Sequence, residues 1–169
     1  MKIDLSPVLS GETDKIALDY PLTIREEFYG VAFPNPVRVL GTITDKAGYI
    51  ALNADMEVFY ETSCDRCLAP IARTLTVRFS QPVVPAGSLQ NEDTDEYLRY
   101  SDRMIDPDDA LLEEIALQFP TKHLCSEDCK GLCPTCGKNL NEGPCSCVKK
   151  EIDPRMAGFA KLLEKNKNP

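Results

Sequence analysis

Hydrophobic and polar positions alternate with a period of two through much of the first half of the chain. In GYIALNADMEVFY, Ile50, Leu52, Ala54, Met56, Val58 and Tyr60 fall on one face, and Ala51, Asn53, Asp55 and Glu57 on the other. Phe59 is the one large apolar residue on the polar side. Such alternation is that of a half-buried strand, because successive side chains of an extended chain point to opposite faces. VRVLGTIT, just before, alternates more weakly, and Asp45 to Gly48 between the two predicts a hairpin turn in which Gly48 supplies a positive φ. After Cys67, IARTLTVRFS sets Ile71, Leu75, Val77 and Phe79 against Ala72, Thr74, Thr76 and Arg78, with Arg73 a misfit on the apolar face. A further strand is expected near Ile16–Leu22. Consecutive antiparallel strands of this kind predict a meander that curls toward a sandwich or a partial barrel.

The period then changes. In DPDDALLEEIALQF, Asp106 is a candidate cap, Pro107 suits the first helical position, and Asp108 and Asp109 favour the positive end of the helix dipole. Leu111, Leu112, Ile115 and Phe119 share one face, and Pro120 stops the run, so a helix is expected over residues 107–119. A second helix is expected over residues 154–165. Asp153 caps it, Pro154 follows, and Met156, Phe159, Ala160 and Leu163 recur at helical spacing, with Arg155, Lys161 and Lys165 on the other side. The chain is thus expected to be α+β: an N-terminal antiparallel β-sheet curled toward a partial barrel over residues 1–120, and a cysteine-rich C-terminal tail over 121–169.

Composition adds an uneven charge. The formal net charge of −8 divides into −11 before residue 120 and +3 from there on. The segment Asn91–Asp109 alone holds eight Asp/Glu against two Arg. It reads as a solvated acidic loop, with a partner-binding acidic segment as the alternative. The whole chain is not that of a sequence-independent nucleic-acid binder, which would need a strongly basic surface. The first residues show no apolar signal core, and no stretch is long and apolar enough to span a membrane, so a reducing cytoplasmic setting is expected. In that setting clustered cysteines are metal ligands or redox centres more often than disulfides.

The eight cysteines come in four close pairs: Cys64 with Cys67, Cys125 with Cys129, Cys133 with Cys136, and Cys145 with Cys147. Thiolates so spaced can share one tetrahedral ion at a Zn–S distance of ~2.3 Å. Eight sulfurs complete two structural zinc sites. One partition places Cys64, Cys67, Cys125 and Cys129 in one site and Cys133, Cys136, Cys145 and Cys147 in a second. The second then closes a short loop through GKNLNEGP at small entropic cost, and the first pins the hairpin tip to the segment leaving the helix. The competing partition groups Cys125, Cys129, Cys133 and Cys136, and returns Cys145 and Cys147 to Cys64 and Cys67. The first is preferred. Four-cysteine sets also suit iron, and CxxC and CxC pairs can form a zinc-held redox switch. A thioredoxin-like centre is disfavoured, because Cys64 and Cys67 lie between strands and not at a strand-to-helix junction.

Signals for catalysis are lacking. His123 is the sole histidine, and it reads as a linker residue. There is no glycine-rich phosphate loop and no paired-carboxylate pattern, so neither an enzyme nor a small-molecule substrate is expected.

CDRCLAP at the end of a hairpin, then LLEEIALQFP, then LCSEDCKGLCPTCGKNLNEGPCSC and IDPRMAGFAKLL, in that order, resemble the YceD family of large ribosomal RNA subunit accumulation proteins. The resemblance implies a cytoplasmic bacterial protein needed for accumulation of large-subunit (23S-type) ribosomal RNA. It implies an assembly or processing factor, whose paired cysteines correspond to Cys64 and Cys67 and whose cysteine-rich block corresponds to Cys125 through Cys147. Beside it, Lys122, Lys130, Lys138, Lys149, Lys150 and Arg155 in the mildly basic tail offer a local phosphate-contacting surface. Two modes of action follow: binding precursor ribosomal RNA through that tail, or binding a basic ribosomal protein through the acidic segment. From another class, a zinc-dependent redox-switch chaperone is the alternative.

Overall fold

A computed structural model describes residues 1–24, 30–88 and 96–147. The expected helix over 154–165 lies outside the described residues. The chain forms two compact units, Met1–Cys129 and a second that begins at Lys130.

The first unit is built on four long or medium antiparallel strands and one short parallel one. Its elements are β1 (Ile3–Asp4), α1 (Ser6–Leu9), β2 (Lys15–Leu22), β3 (Val37–Lys46), β4 (Tyr49–Ser63), β5 (Pro70–Pro85), β6 (Leu98–Tyr100), β7 (Met104–Ile105) and α2 (Asp108–Gln118). One sheet has the order β2-β3-β4-β5-β6, and β1 pairs with β7 in a second. The pairs β2–β3, β3–β4 and β4–β5 are antiparallel, whereas β6 runs parallel to β5. The expected curl toward a barrel does not close. The sheet is open, with β2 and β6 as its edges. A strand of three residues docked parallel on the far end of β5 has too little ladder to carry the sheet round to β2.

The alternation read in β4 becomes burial: Ile50, Leu52, Ala54, Met56, Val58 and Tyr60 are all buried. The first five join Val37, Val39 and Ile43 of β3 and Val77 and Phe79 of β5 in the core on the inner face of the sheet, while Tyr60 packs against Phe119. α2 covers this core with Leu111 and Ile115, both fully buried, while Leu112 and Ala110 pack at its margin. Burying two such aliphatic side chains contributes on the order of 2 kcal/mol each. α2 begins one residue later than expected, with Pro107 in the cap position, and the Asp106 carboxylate accepts the Asp108 N–H at 3.4 Å.

The β3–β4 hairpin is closed by Ala47 and Gly48, both with positive φ (55° and 88°). That is the primed turn whose twist matches the strands it joins. The Gly48 N–H donates to the Asp45 carboxylate at 2.7 Å. The segment expected to be an acidic loop is structured over its second half, where β6 and β7 form a tight turn. Asp102 and Arg103 at its centre have φ of 51° and 62°, and Ser101 and Met104 exchange two backbone hydrogen bonds.

Candidate metal centres

The β4–β5 hairpin ends in a turn that starts at Cys64. The Leu68 N–H donates to the Cys64 carbonyl at 2.8 Å, and the Cys64 N–H donates to the Ala69 carbonyl at 2.8 Å. The second unit repeats this scheme. There the Gly137 N–H donates to the Cys133 carbonyl and the Cys133 N–H to the Lys138 carbonyl, both at 2.9 Å. The fifth residue of each turn is left-handed, Leu68 at φ 59° and Gly137 at φ 72°. This backbone path brings both cysteines of each CxxC to one side of the turn and aims N–H groups at the sulfurs.

Two sulfur tetrads result: Cys64, Cys67, Cys125 and Cys129 in the first unit, and Cys133, Cys136, Cys145 and Cys147 in the second. The structure therefore groups the cysteines in the first of the two partitions. Within each tetrad the sulfurs all lie within 4.8 Å of one another. The Cys64–Cys129 separation is 3.8 Å, Cys67–Cys125 is 3.6 Å and Cys133–Cys145 is 3.4 Å, and all eight are free thiols. A tetrahedral ion with ~2.3 Å metal–sulfur bonds needs sulfur–sulfur edges of about 3.8 Å. Both tetrads fit that requirement with little adjustment.

Their electrostatics point the same way. Burial opposes ionisation of Cys64, but N–H groups of Cys125, Arg66 and Cys67 directed at its sulfur outweigh it and take its pKa down to about 6. The Cys125 N–H lies 3.4 Å from that sulfur. In the second unit the N–H groups of Cys136 and Thr135 take Cys133 down to about 6. The neighbours move the other way. The Ala69 N–H favours a Cys67 thiolate, yet burial and the surrounding sulfurs push its pKa up to about 12. The Cys136 sulfur and burial push Cys147 up to about 12. Each tetrad thus holds a readily formed thiolate, Cys64 or Cys133, beside a thiol, Cys67 or Cys147, that burial and adjacent sulfurs keep protonated. A divalent ion bound among the sulfurs would remove the repulsion that opposes ionisation of Cys67 and Cys147.

A ring of polar contacts fixes the first tetrad. Asp65 and His123 exchange two hydrogen bonds, Arg66 Nη1 donates to the Cys129 carbonyl at 2.8 Å, and Arg73 Nη2 donates to the Leu124 carbonyl at 2.6 Å. Asp65, Arg66 and Arg73 are not marked as site residues by any sequence motif. The one available signal is Arg73, whose place on an otherwise apolar strand face is accounted for by that contact. His123 lies outside the tetrad. Its ring packs edgewise on Tyr60 and tilted against Phe119, with centroids at 5.5 and 5.6 Å, and this anchors the chain leaving α2. In the second unit, Leu132 bridges to Asn139, and the Asn141 side chain accepts the Lys130 N–H at 2.7 Å.

Of the six basic residues read as phosphate contacts, Lys122, Lys130 and Lys138 are exposed. Lys138 Nζ also donates to the Pro144 carbonyl at 3.1 Å. Lys149, Lys150 and Arg155 lie outside the described residues. Among the described residues, no helix is long and apolar enough to cross a membrane.

Comparison with known proteins bears on this arrangement. The family model described as "Large ribosomal RNA subunit accumulation protein YceD" matches residues 52–163. An uncharacterized protein of Mycobacterium bovis is 33% identical over 102 residues, covering 59% of this chain and 49% of the relative. The chloroplastic large ribosomal RNA subunit accumulation protein YCED homolog 1 of Zea mays is 26% identical over 147 residues, covering 69% of this chain and 50% of the relative. YlbN, an uncharacterized protein of Bacillus subtilis, is 27% identical over 133 residues, covering 78% and 77%. The chain thus spans about half the length of the first of these relatives. No solved structure matches.

Proposed function

From the premise that the chain belongs to the YceD family, we propose that it supports accumulation of large-subunit ribosomal RNA by binding precursor ribosomal RNA, and that it does so without catalysing a reaction. The observation that carries this reading is the extent of the family match, which takes in the β4–β5 hairpin, α2 and all eight cysteines. Each tetrad holds one zinc ion in this reading. Four sulfurs this close suit a single tetrahedral ion better than an iron–sulfur cluster, whose cysteines must stand farther apart around several irons. The bound ion supplies structural cross-linking. In the first unit that fixes the segment carrying Lys122, and in the second it fixes the turn carrying Lys138. Both side chains are exposed and can meet phosphates.

Crosslinking in cells followed by sequencing of bound RNA tests the reading. Large-subunit ribosomal RNA should be enriched, and its absence would defeat the proposal. Changing Lys122, Lys130, Lys138, Lys149 and Lys150 to Glu should weaken binding and lower the salt slope by about one for each phosphate no longer neutralised.

The exposure of Cys125 and Cys136 favours a second reading, a zinc-held redox switch, because an oxidant can reach one sulfur of each tetrad. Peroxide would take two electrons from a pair of thiolates, leaving a disulfide and water. Zinc release accompanied by chaperone activity would support this reading, and retention of zinc under peroxide would remove it.

A further inference from the structure

The two units are held together by different means. The apolar core of the first runs from Ile3 to Ile115 and lies wholly within Met1–Cys129. The second has no equivalent among its described residues, 130–147. That stretch contains no helix and no strand, only the bridge between Leu132 and Asn139. Gly131 and Cys133 are its only buried residues, and Leu132 and Leu140 are both partly exposed. Beyond the Cys133 turn, the Leu140 N–H donates to the Gly131 carbonyl at 2.9 Å and the Glu142 N–H to the Asn139 carbonyl at 3.3 Å.

Such a stretch cannot keep its shape by burial. Each ordered residue gives up backbone freedom, and exposed hydrogen bonds return little against water. Chains below about 40 residues usually need a metal or disulfides to fold alone, and all eight cysteines are free thiols. What gathers residues 130–147 is the tetrad of Cys133, Cys136, Cys145 and Cys147. An ion there closes the loop from Gly137 to Pro144. Otherwise Lys138 Nζ spans that loop, donating to the Pro144 carbonyl at 3.1 Å between two exposed residues. The binding energy of such an ion is therefore folding energy. Access differs as well. Cys136 is exposed and Cys145 and Cys147 are partly so, whereas Cys64, Cys67 and Cys129 of the first tetrad are buried.

We propose that the second tetrad is a metal-operated folding switch. With an ion bound, residues 130–147 hold one structure; without it they open, while the sheet and α2 stay folded. This stretch carries the exposed Lys130 and Lys138, and the Lys130 N–H is held by the Asn141 side chain at 2.7 Å. Zinc supply therefore sets whether the two cations stand in fixed positions. When the tetrad is empty, RNA has to order them itself, at a cost in affinity. This last step rests on the RNA reading above, whereas the switch rests only on the tetrad holding a metal ion. Charge alone predicts the opposite sign. Four thiolates around a dication leave a net negative charge, and thiols that regain protons reduce it, so RNA would bind the emptied chain more tightly.

The test uses the zinc-loaded full chain, labelled with nitrogen-15, with a phosphine reductant present so that no disulfide forms. A chelator is added until one zinc ion per chain has left. The amide signals of residues 130–147 should collapse toward unfolded positions while those of β3, β4 and β5 keep theirs. One equivalent of zinc should restore them. Cys145→Ser with Cys147→Ser should hold one ion and show the collapsed signals without chelator. Signals of 130–147 that stay dispersed in the emptied chain, or a sheet that unfolds with them, would overturn the proposal. A fragment of large-subunit ribosomal RNA is the second probe. Emptying the tetrad should weaken its binding several-fold. Lys130→Glu with Lys138→Glu should weaken it far more in the loaded chain than in the emptied one. Equal or tighter binding by the emptied chain would overturn the control of RNA binding. RNA that fails to bind even the loaded chain would instead defeat the RNA reading, and the amide signals would still decide the switch.

Discussion

The Asp65 carboxylate accepts the His123 N–H at 2.6 Å, while the Asp65 N–H donates to the His123 carbonyl at 2.8 Å. This reciprocal pair ties the tip of the β4–β5 hairpin to the chain leaving α2. It sets Cys64 and Cys67 opposite Cys125 and Cys129 before any ion is bound. Polar contacts outside the ligands typically alter metal affinity by ~10–100-fold. Asp65→Ala should therefore weaken zinc binding at the first tetrad by that order and leave the second tetrad as it is. Competition against a chromophoric chelator measures both, and an unchanged first-site affinity would show that the pair has no part in organising the site.

The two tetrads should differ in how readily they give up metal. Cys64, Cys67 and Cys129 are buried in the first, whereas in the second only Cys133 is, and Cys136 is exposed. Chelation should remove one ion quickly and the other slowly. Cys136→Ser should abolish the fast phase and leave the spectrum of the sheet intact. Cys64→Ser should abolish the slow phase and lower the unfolding temperature, because the hairpin tip loses its tie to the segment after α2. Elemental analysis should give two zinc ions per chain for the parent and one for each variant. A parent holding fewer than one would end the structural-zinc reading.

Stability of the metal-free chain should rise with pH between about 6 and 8.5. Cys64 and Cys133 are both lowered to about 6, by N–H groups directed at their sulfurs and against the opposing effect of burial at Cys64. A depressed folded-state pKa means that the unfolded chain, whose thiols titrate at about 8.5, binds more protons across this window. The stabilisation is fully present above the unfolded value and is lost as the pH falls through about 6. Cys67 and Cys147, raised to about 12, oppose it only where unfolded thiols ionise, above the window. Melting followed by circular dichroism at several pH values should show the rise, and Cys64→Ser should flatten it. A melting temperature independent of pH from 6 to 8 would contradict the picture.

Much of this arrangement is legible in the sequence, and the exceptions have physical causes. The six alternating residues of β4 are buried as their spacing requires, because a strand has one periodicity and a one-residue slip would expose them all. β6 and β7 leave little signal because they are three and two residues long and their turn uses Asp102 and Arg103 at positive φ, where a glycine would have marked it. The parallel pairing of β6 with β5 is a tertiary choice that leaves no periodic trace. For the cysteines, spacing defines the pairs, but loop entropy changes slowly with length and separates the two partitions only weakly. What distinguishes them is the reach of the hairpin tip, and the one hint of that is a charged Arg73 on an apolar strand face. It holds the Leu124 carbonyl, one residue before Cys125.

The repeated turn contains one further anomaly. The position that Gly137 fills at φ 72° in the second unit is filled by Leu68 at φ 59° in the first. A left-handed conformation costs an L-residue roughly 1–2 kcal/mol. Leu68 is 65% exposed, so little burial offsets the strain. Leu68→Gly should relieve it, while the greater freedom of glycine in the unfolded chain takes back about 0.5–1 kcal/mol. The net should be a stabilisation of about 0.5–1 kcal/mol with slower zinc release from the first tetrad. Leu68→Val should go the other way, because a β-branched side chain tolerates this backbone region least. Urea unfolding of the zinc-loaded proteins, read beside zinc release, gives both signs. Were the valine variant as stable as the parent, the left-handed turn at Leu68 would not be a constraint on the site.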